Sequence, residues 1–128
     1  MNLLLDTHAF LWLMEAPEKL PPKTLKICAS PANRLFLSLA SVWEMQIKIG
    51  LGKLKLKGAV SDLVTEQLTS NSVESLPIQL SHLWGLSKLP TLHADPFDRL
   101  LVAQAQIEKM ALITADEAIR RYKITALW

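Results

Sequence analysis

The sequence has 128 residues, half of them hydrophobic and 20% charged, which fits one domain over residues 1–128 with its own core and argues against disorder. Its 14 basic and 12 acidic side chains leave a formal charge of +2, no overall signal for nucleic acid, although basic residues gather at Lys48–Lys57 and Arg120–Lys123. The lone Cys28 excludes an internal disulfide, Met1–Met14 is a poor signal peptide, and no apolar run approaches the roughly 18 residues of a membrane span, so a soluble cytoplasmic protein with no membrane partner is expected.

In chain order, "NLLLDT" predicts a short buried parallel strand with Asp6 at its carboxyl end, and "HAFLWLMEA" a helix directly after it. A second helix is expected from about Pro22 to Ala29, followed by a turn at "SPAN". "RLFLSL" predicts the second strand, and "ASVWEMQIKIGLG" a helix closing near Gly50. "KLKLKG" alternates and predicts a short extended segment, whereas "AVSDLVTEQLTSN" is amphipathic with Val60, Leu63, Val64 and Leu68 on one side. "VESLPI" is the expected third strand and "SHLWGLSKL" a short helix. In "DPFDRLLVAQAQIEKM" the apolar Phe97, Leu100, Leu101, Ala105 and Ile107 recur at helical spacing, with Asp95 placed as N-cap and Pro96 as first helical residue. "ALIT" predicts the fourth strand, "EAIRRY" a short helix and "ITALW" a terminal strand. Strands alternating with helices predict an α/β fold, a mainly parallel sheet of about four to five strands covered on both faces.

The carboxylates fall in a pattern that this layout makes informative. Asp6 follows the first strand, Asp116 follows the fourth, Asp95 and Asp98 open the helix before the fourth, and Glu44 lies one turn into the helix after the second. Binding crevices of open α/β sheets lie beyond the carboxyl ends of the strands, where these residues are expected to meet. Each acid also has a purely structural reading. Asp6, Asp95 and Asp116 suit helix N-caps, Asp98 suits the first turn of a helix, and Glu44 could form a capping box with Ser41 or pair with Lys48 one turn on. Convergent carboxylates repel, and a hard divalent cation such as Mg²⁺ or Mn²⁺ relieves that repulsion through oxygen ligands. No cysteine–histidine set with zinc spacing is present.

"LLLDTHAFLW", "SLASVWEMQIKIGLGKLKL", "HADPFDRLLVAQA" and "LITAD", in this order and at this spacing, resemble the PIN-domain ribonucleases, specifically the toxin half of VapBC-type bacterial toxin–antitoxin pairs. The resemblance spans essentially the whole chain. It places Asp6, Glu44, Asp98 and Asp116 at the family's four catalytic acid positions, with Asp95 an additional acid of less defined role. It implies a three-layer α/β/α sandwich, Mg²⁺ or Mn²⁺ dependence, cleavage of RNA phosphodiester bonds, a small antitoxin partner and a homodimer. Asp6, Asp98 and Asp116 would hold the ion, and Glu44 would complete its surroundings or orient the attacking water.

Around these acids, Thr7 and Thr114 stand next to strand ends, where they could hydrogen-bond a carboxylate. His8 and His93 are neighbours of the acids in sequence; His93 could orient the loop before Asp95. An acidic pocket needs basic flanks to receive RNA, and Lys48, Lys53 and Arg99 lead the candidates, followed by Lys55, Lys57 and Arg120, Arg121 and Lys123. Lysines alternating with leucines also suit an exposed edge strand, and Arg99 could instead pair with Asp98. Phe10 and Trp12 could line a groove for an antitoxin segment, by analogy with the family. The main alternative is a non-catalytic or signalling domain resembling a phospho-receiver, with an acidic Mg²⁺ pocket. Such a domain wants paired acids after strand one and an aspartate after strand three, which "LLLDTH" and "VESLPI" do not supply.

Overall fold

Leu3, Leu4 and Leu5 form the middle of the sheet in the computed structural model, which describes residues 1–128. Strand β1 (Asn2–Leu5) pairs with β2 (Arg34–Ser38) on one side and with β4 (Ala111–Ile113) on the other. Strands β3 (Glu74–Leu76) and β5 (Ala126–Leu127) complete the sheet in the order β3-β2-β1-β4-β5, every pairing parallel. A parallel sheet buried on both faces wants continuous apolar strands, and all three leucines of β1 are fully buried.

The pleat sends alternate leucines into two different cores. Leu3 and Leu5 pack with Phe10, Leu37, Met45, Val64 and Ile113, beneath α1 (Thr7–Glu15), α3 (Leu39–Gly50) and α4 (Val60–Thr69). Leu4 packs with Phe36, Leu76, Leu101, Leu112 and Ile119, beneath α6 (Pro96–Glu108) and α7 (Glu117–Arg120). Helix α2 (Pro22–Ala29) joins the first layer through Cys28 and Ile27, and α5 (Leu80–Leu86) packs on α6 in the second, so the chain is a three-layer α/β/α sandwich.

Two expectations change in three dimensions, and one short element is added. The edge-strand reading of residues 53–58 does not hold, because the segment pairs with no strand of the sheet; its alternation survives as exposure, with Leu54 and Leu56 leaning on the core and Lys53, Lys55 and Lys57 facing out. Glu44 and Ser41 make no capping box, since α3 starts earlier and is capped by Ser38, whose hydroxyl accepts from the Ala40 N–H; the Ser41 hydroxyl is buried without a partner. A short 3₁₀ turn at Pro17–Lys19, not expected from the sequence, follows α1.

Candidate active site

The connection from β1 leads to β2 on one side of the sheet, whereas β4 lies on the other, so the strand order reverses beside the carboxyl end of β1. A crevice opens there by construction, because the helices that follow diverging connections go to opposite faces. It is a cleft of about 470 Å³ whose walls include Asp6, Glu44, Asp95, Asp98 and Asp116, with Lys48, His8 and His93 among them. All five acids named from the sequence therefore face one space.

Helix capping is how three of them arrive there. Asp6 caps α1 with one carboxylate oxygen, which accepts from the Ala9 N–H at 2.7 Å. Asp116 caps α7 through Oδ1, at 2.8 Å from the Ala118 nitrogen, and turns Oδ2 toward the cleft, 3.5 Å from His93 Nε2. Asp95 caps α6, its Oδ1 accepting from the N–H groups of Phe97 and Asp98 at 2.9 and 3.1 Å. Capping and chemistry are not rival roles here: a carboxylate has two oxygens, and at Asp6, Asp95 and Asp116 a single one serves as the cap.

Glu44 comes from the opposite wall, nearly fully buried on α3. Thr7 donates its hydroxyl to Oε1 at 2.5 Å, and the Lys48 ammonium donates to Oε2 at 2.7 Å. Burial tends to lower the Lys48 pKa, but the hydrogen bond and charge of Glu44, helped by Asp95 and Asp98, outweigh it and hold the ammonium charged. Of the expected threonine contacts, Thr7 thus reaches Glu44, and Thr114 accepts from the Asp116 N–H at 3.0 Å while helping to hold Asp6.

The residue that ties the acids together is His93. Its Nε2 lies 2.9 Å from Asp98 Oδ2 and 3.5 Å from Asp116 Oδ2, and its Nδ1 accepts a long bond of 3.4 Å from the Asp95 N–H. An accepting Nδ1 leaves the proton on Nε2, between the two carboxylates. From the sequence alone, His93 is expected only to orient the loop before Asp95. Its position five residues before Asp98 in "HADPFD" was the available signal, but nothing local shows that Asp116 would come within reach.

Crowding has an electrostatic cost. Burial first, then the charges of Asp95 and Glu44, push Asp98 up from 3.8 to about 7, against the opposing pull of His93. Burial likewise raises Asp6, although hydrogen bonds from Thr114 and the Ala9 N–H oppose it. A donor set in this condition fits a hard cation. Asp98 and Asp116 each offer a carboxylate oxygen within 4.8 Å of the other, and a doubly positive ion offsets the repulsion that raises Asp98.

Two proposed RNA contacts do not line this cleft. The Arg99 guanidinium is engaged elsewhere, donating to the Pro90 carbonyl at 2.9 Å, to the Leu86 carbonyl at 3.4 Å and to the Tyr122 hydroxyl at 3.1 Å, so it neither pairs with Asp98 nor faces the acids. Lys53 is exposed beyond the end of α3. Phe10 is fully buried and cannot line a docking groove, whereas Trp12 stays at the cleft wall against Trp128, their ring centres 5.8 Å apart. No helix is long and apolar enough to cross a membrane.

The fold recurs in solved structures of low sequence identity. VapBC2 from Rickettsia felis, bound to a promoter DNA fragment, matches with a TM-score of 0.73 at 19% identity, covering 99% of this chain and 98% of the other. DNA-bound VapBC from Salmonella typhimurium gives 0.70 at 12% identity, with 99% and 97% covered, and FitAcB from Neisseria gonorrhoeae 0.60 at 16%, with 98% and 96% covered. No curated protein matches it in sequence. The family model described as PIN domain matches residues 3–124, almost the whole length, and with the strand order and the acids at the switch point it places this chain in the PIN domain family.

Proposed function

We propose that the protein is a Mg²⁺- or Mn²⁺-dependent endoribonuclease, the toxin of a bacterial toxin–antitoxin pair acting in the cytoplasm. The observation that carries this reading is the meeting of Asp6, Glu44, Asp98 and Asp116 in one cleft at the carboxyl edge of a parallel sheet. A receiver-like signalling role has no support beside it, because β3 ends at Leu76 followed by Pro77, with no acid to phosphorylate.

Asp6, Asp98 and Asp116 would hold the ion, with Asp95 close enough to add charge. When bound, the ion supplies Lewis acidity, lowering the pKa of coordinated water and offsetting charge on the phosphate. The remaining work falls to side chains. Thr7 and Lys48 fix the Glu44 carboxylate in one orientation, from which it can accept a proton from the attacking water. Lys48 is the cation on the cleft wall that can meet a phosphate oxygen once Glu44 is engaged with water. His93, with its proton at Nε2 between Asp98 and Asp116, keeps both acids aimed inward and can hand that proton toward a departing oxygen.

An antitoxin partner and a homodimer belong to the same reading. The similar VapBC and FitAcB structures carry names of two-part assemblies, and Leu80, Leu83 and Trp84 leave an exposed apolar patch on α5 that suits contact with another chain. The test is cleavage of a fluorogenic single-stranded RNA by purified protein in Mg²⁺, in Mn²⁺ and in EDTA, beside Asp6→Asn and Asp116→Asn. Activity that needs a divalent ion and falls at least about a thousandfold in both variants is expected. Undiminished cleavage in EDTA, or by either variant, refutes the assignment.

A further inference from the structure

A second groove, of about 480 Å³, runs on from the acidic cleft, and the two share His8 and Trp12. It lies between α1 and the segment after α3. Leu11, Leu54 and Leu56 contribute apolar walls, and Lys19, Lys55 and Lys57 contribute ammonium groups, all three residues exposed. The segment is held there from both sides. Leu54 and Leu56 pack on the core, and the Lys57 N–H makes long hydrogen bonds of 3.5 and 3.4 Å to the Glu15 carboxylate. Glu15 is the one acid of the groove, set against three lysines, so this space has the opposite sign to the cleft beside it.

We propose, resting on the RNA-cleaving reading above, that this groove carries the single-stranded RNA next to the scissile phosphate. A cleft crowded with carboxylates repels a polyanion, so a strand reaching it needs positive charge outside, within a nucleotide or two. Grooves that bind single strands without sequence preference combine a basic track for the backbone with aromatic side chains for the bases. Both parts are present and adjoining. Lys19, Lys55 and Lys57 line the track, and Trp12 stands at the junction with the Lys19 Nζ 5.8 Å from its ring centre. The strand passes from the acids, over His8 and Trp12, into the lysine groove. The alternation in "KLKLK" then has a reason that a sheet edge does not provide: Leu54 and Leu56 anchor the segment, and Lys55 and Lys57 face phosphate.

The test compares native lysines with a Lys19→Gln/Lys55→Gln/Lys57→Gln triple substitution. Binding is measured in an Asp116→Asn background, so that RNA stays intact, using a fluorescent 12-nucleotide single-stranded RNA over a range of salt. Each phosphate contact on a single strand contributes about 0.7 to the slope of log K against log salt, so losing three should flatten the slope by about 2 and weaken binding about ten- to a hundredfold near 0.1 M salt. With Asp116 restored, the triple variant should cleave the 12-mer with raised KM and nearly native kcat, and cleave a dinucleotide as the native protein does. Native affinity and salt slope in the triple variant would overturn the assignment while leaving RNA cleavage standing. The same result accompanied by loss of binding to a partner protein would make the groove a protein-docking surface. Absence of RNA cleavage by the native protein itself would remove the functional reading and this groove's role together.

Discussion

Replacing Asp98 by asparagine should stabilise the protein at pH 8 when no divalent ion is present. Burial, then the charges of Asp95 and Glu44, raise the Asp98 carboxyl from 3.8 to about 7. An acid with a raised pKa binds its proton more tightly in the folded state. Its contribution to stability is therefore full below pH 3.8, is lost as pH rises toward about 7, and is level above that. At about 1.4 kcal/mol per pH unit the whole span corresponds to about 4 kcal/mol. Because the side chain keeps 19% exposure, that figure is an upper bound, and a gain of about 2 kcal/mol or more is expected for Asp98→Asn at pH 8, vanishing near pH 4. Divalent ions should invert the order. An ion held only by the folded protein adds about 2.7 kcal/mol at a hundredfold excess over its Kd, and the asparagine variant, lacking one carboxylate, should gain far less. Urea denaturation from pH 4 to 9, in EDTA and in Mg²⁺, measures all of this. If Asp98→Asn keeps the native loss of stability between pH 4 and 7, or is the weaker protein at pH 8 in EDTA, carboxylate crowding is not what the cleft imposes.

Other substitutions separate chemistry from architecture. Arg99→Ala should cost about 1–3 kcal/mol, read by denaturation, because its guanidinium joins the Leu86 and Pro90 carbonyls to Tyr122; its KM for RNA should stay near native. Leu4→Ala opens a cavity in the core of the α6 layer and should cost about 2–5 kcal/mol without altering metal dependence at temperatures where the variant is folded. Thr7→Val should leave the chain folded but reduce kcat more than KM, since the buried Glu44 loses the hydroxyl that orients Oε1; an unchanged kcat would mean that Lys48 alone suffices. His93→Ala should lower kcat on the same RNA, because Asp98 and Asp116 lose the ring that holds both, whereas a native kcat would confine His93 to holding the loop.

Most of the fold was legible because its signals are local. Leu3–Leu5 read as a buried strand from three adjacent residues, and the α6 helix from the spacing of Phe97, Leu100, Leu101 and Ala105 behind an Asp-Pro start. The aspartates were legible for a related reason: Asp6, Asp95, Asp98 and Asp116 stand at strand ends or helix starts, and in a parallel sheet those positions share an edge, with Glu44 one turn further into α3. Short strands at β3 and β5 were harder to bound, since two or three paired residues in "VESLPI" and "ITALW" carry no periodicity of their own.

What tertiary structure alone decided is who meets whom. Thr7 and Glu44 are 37 residues apart, and no pattern near either one announces the bond between them. His93 bridging to Asp116, Arg99 turning away to Tyr122, and the lysine segment packing beside α1 instead of joining the sheet are choices of the same kind. Backbone propensity and capping act over a turn or two, so a sequence states them directly. Electrostatic environment depends on everything within several ångströms of a side chain, and only the order β3-β2-β1-β4-β5 determines what that is.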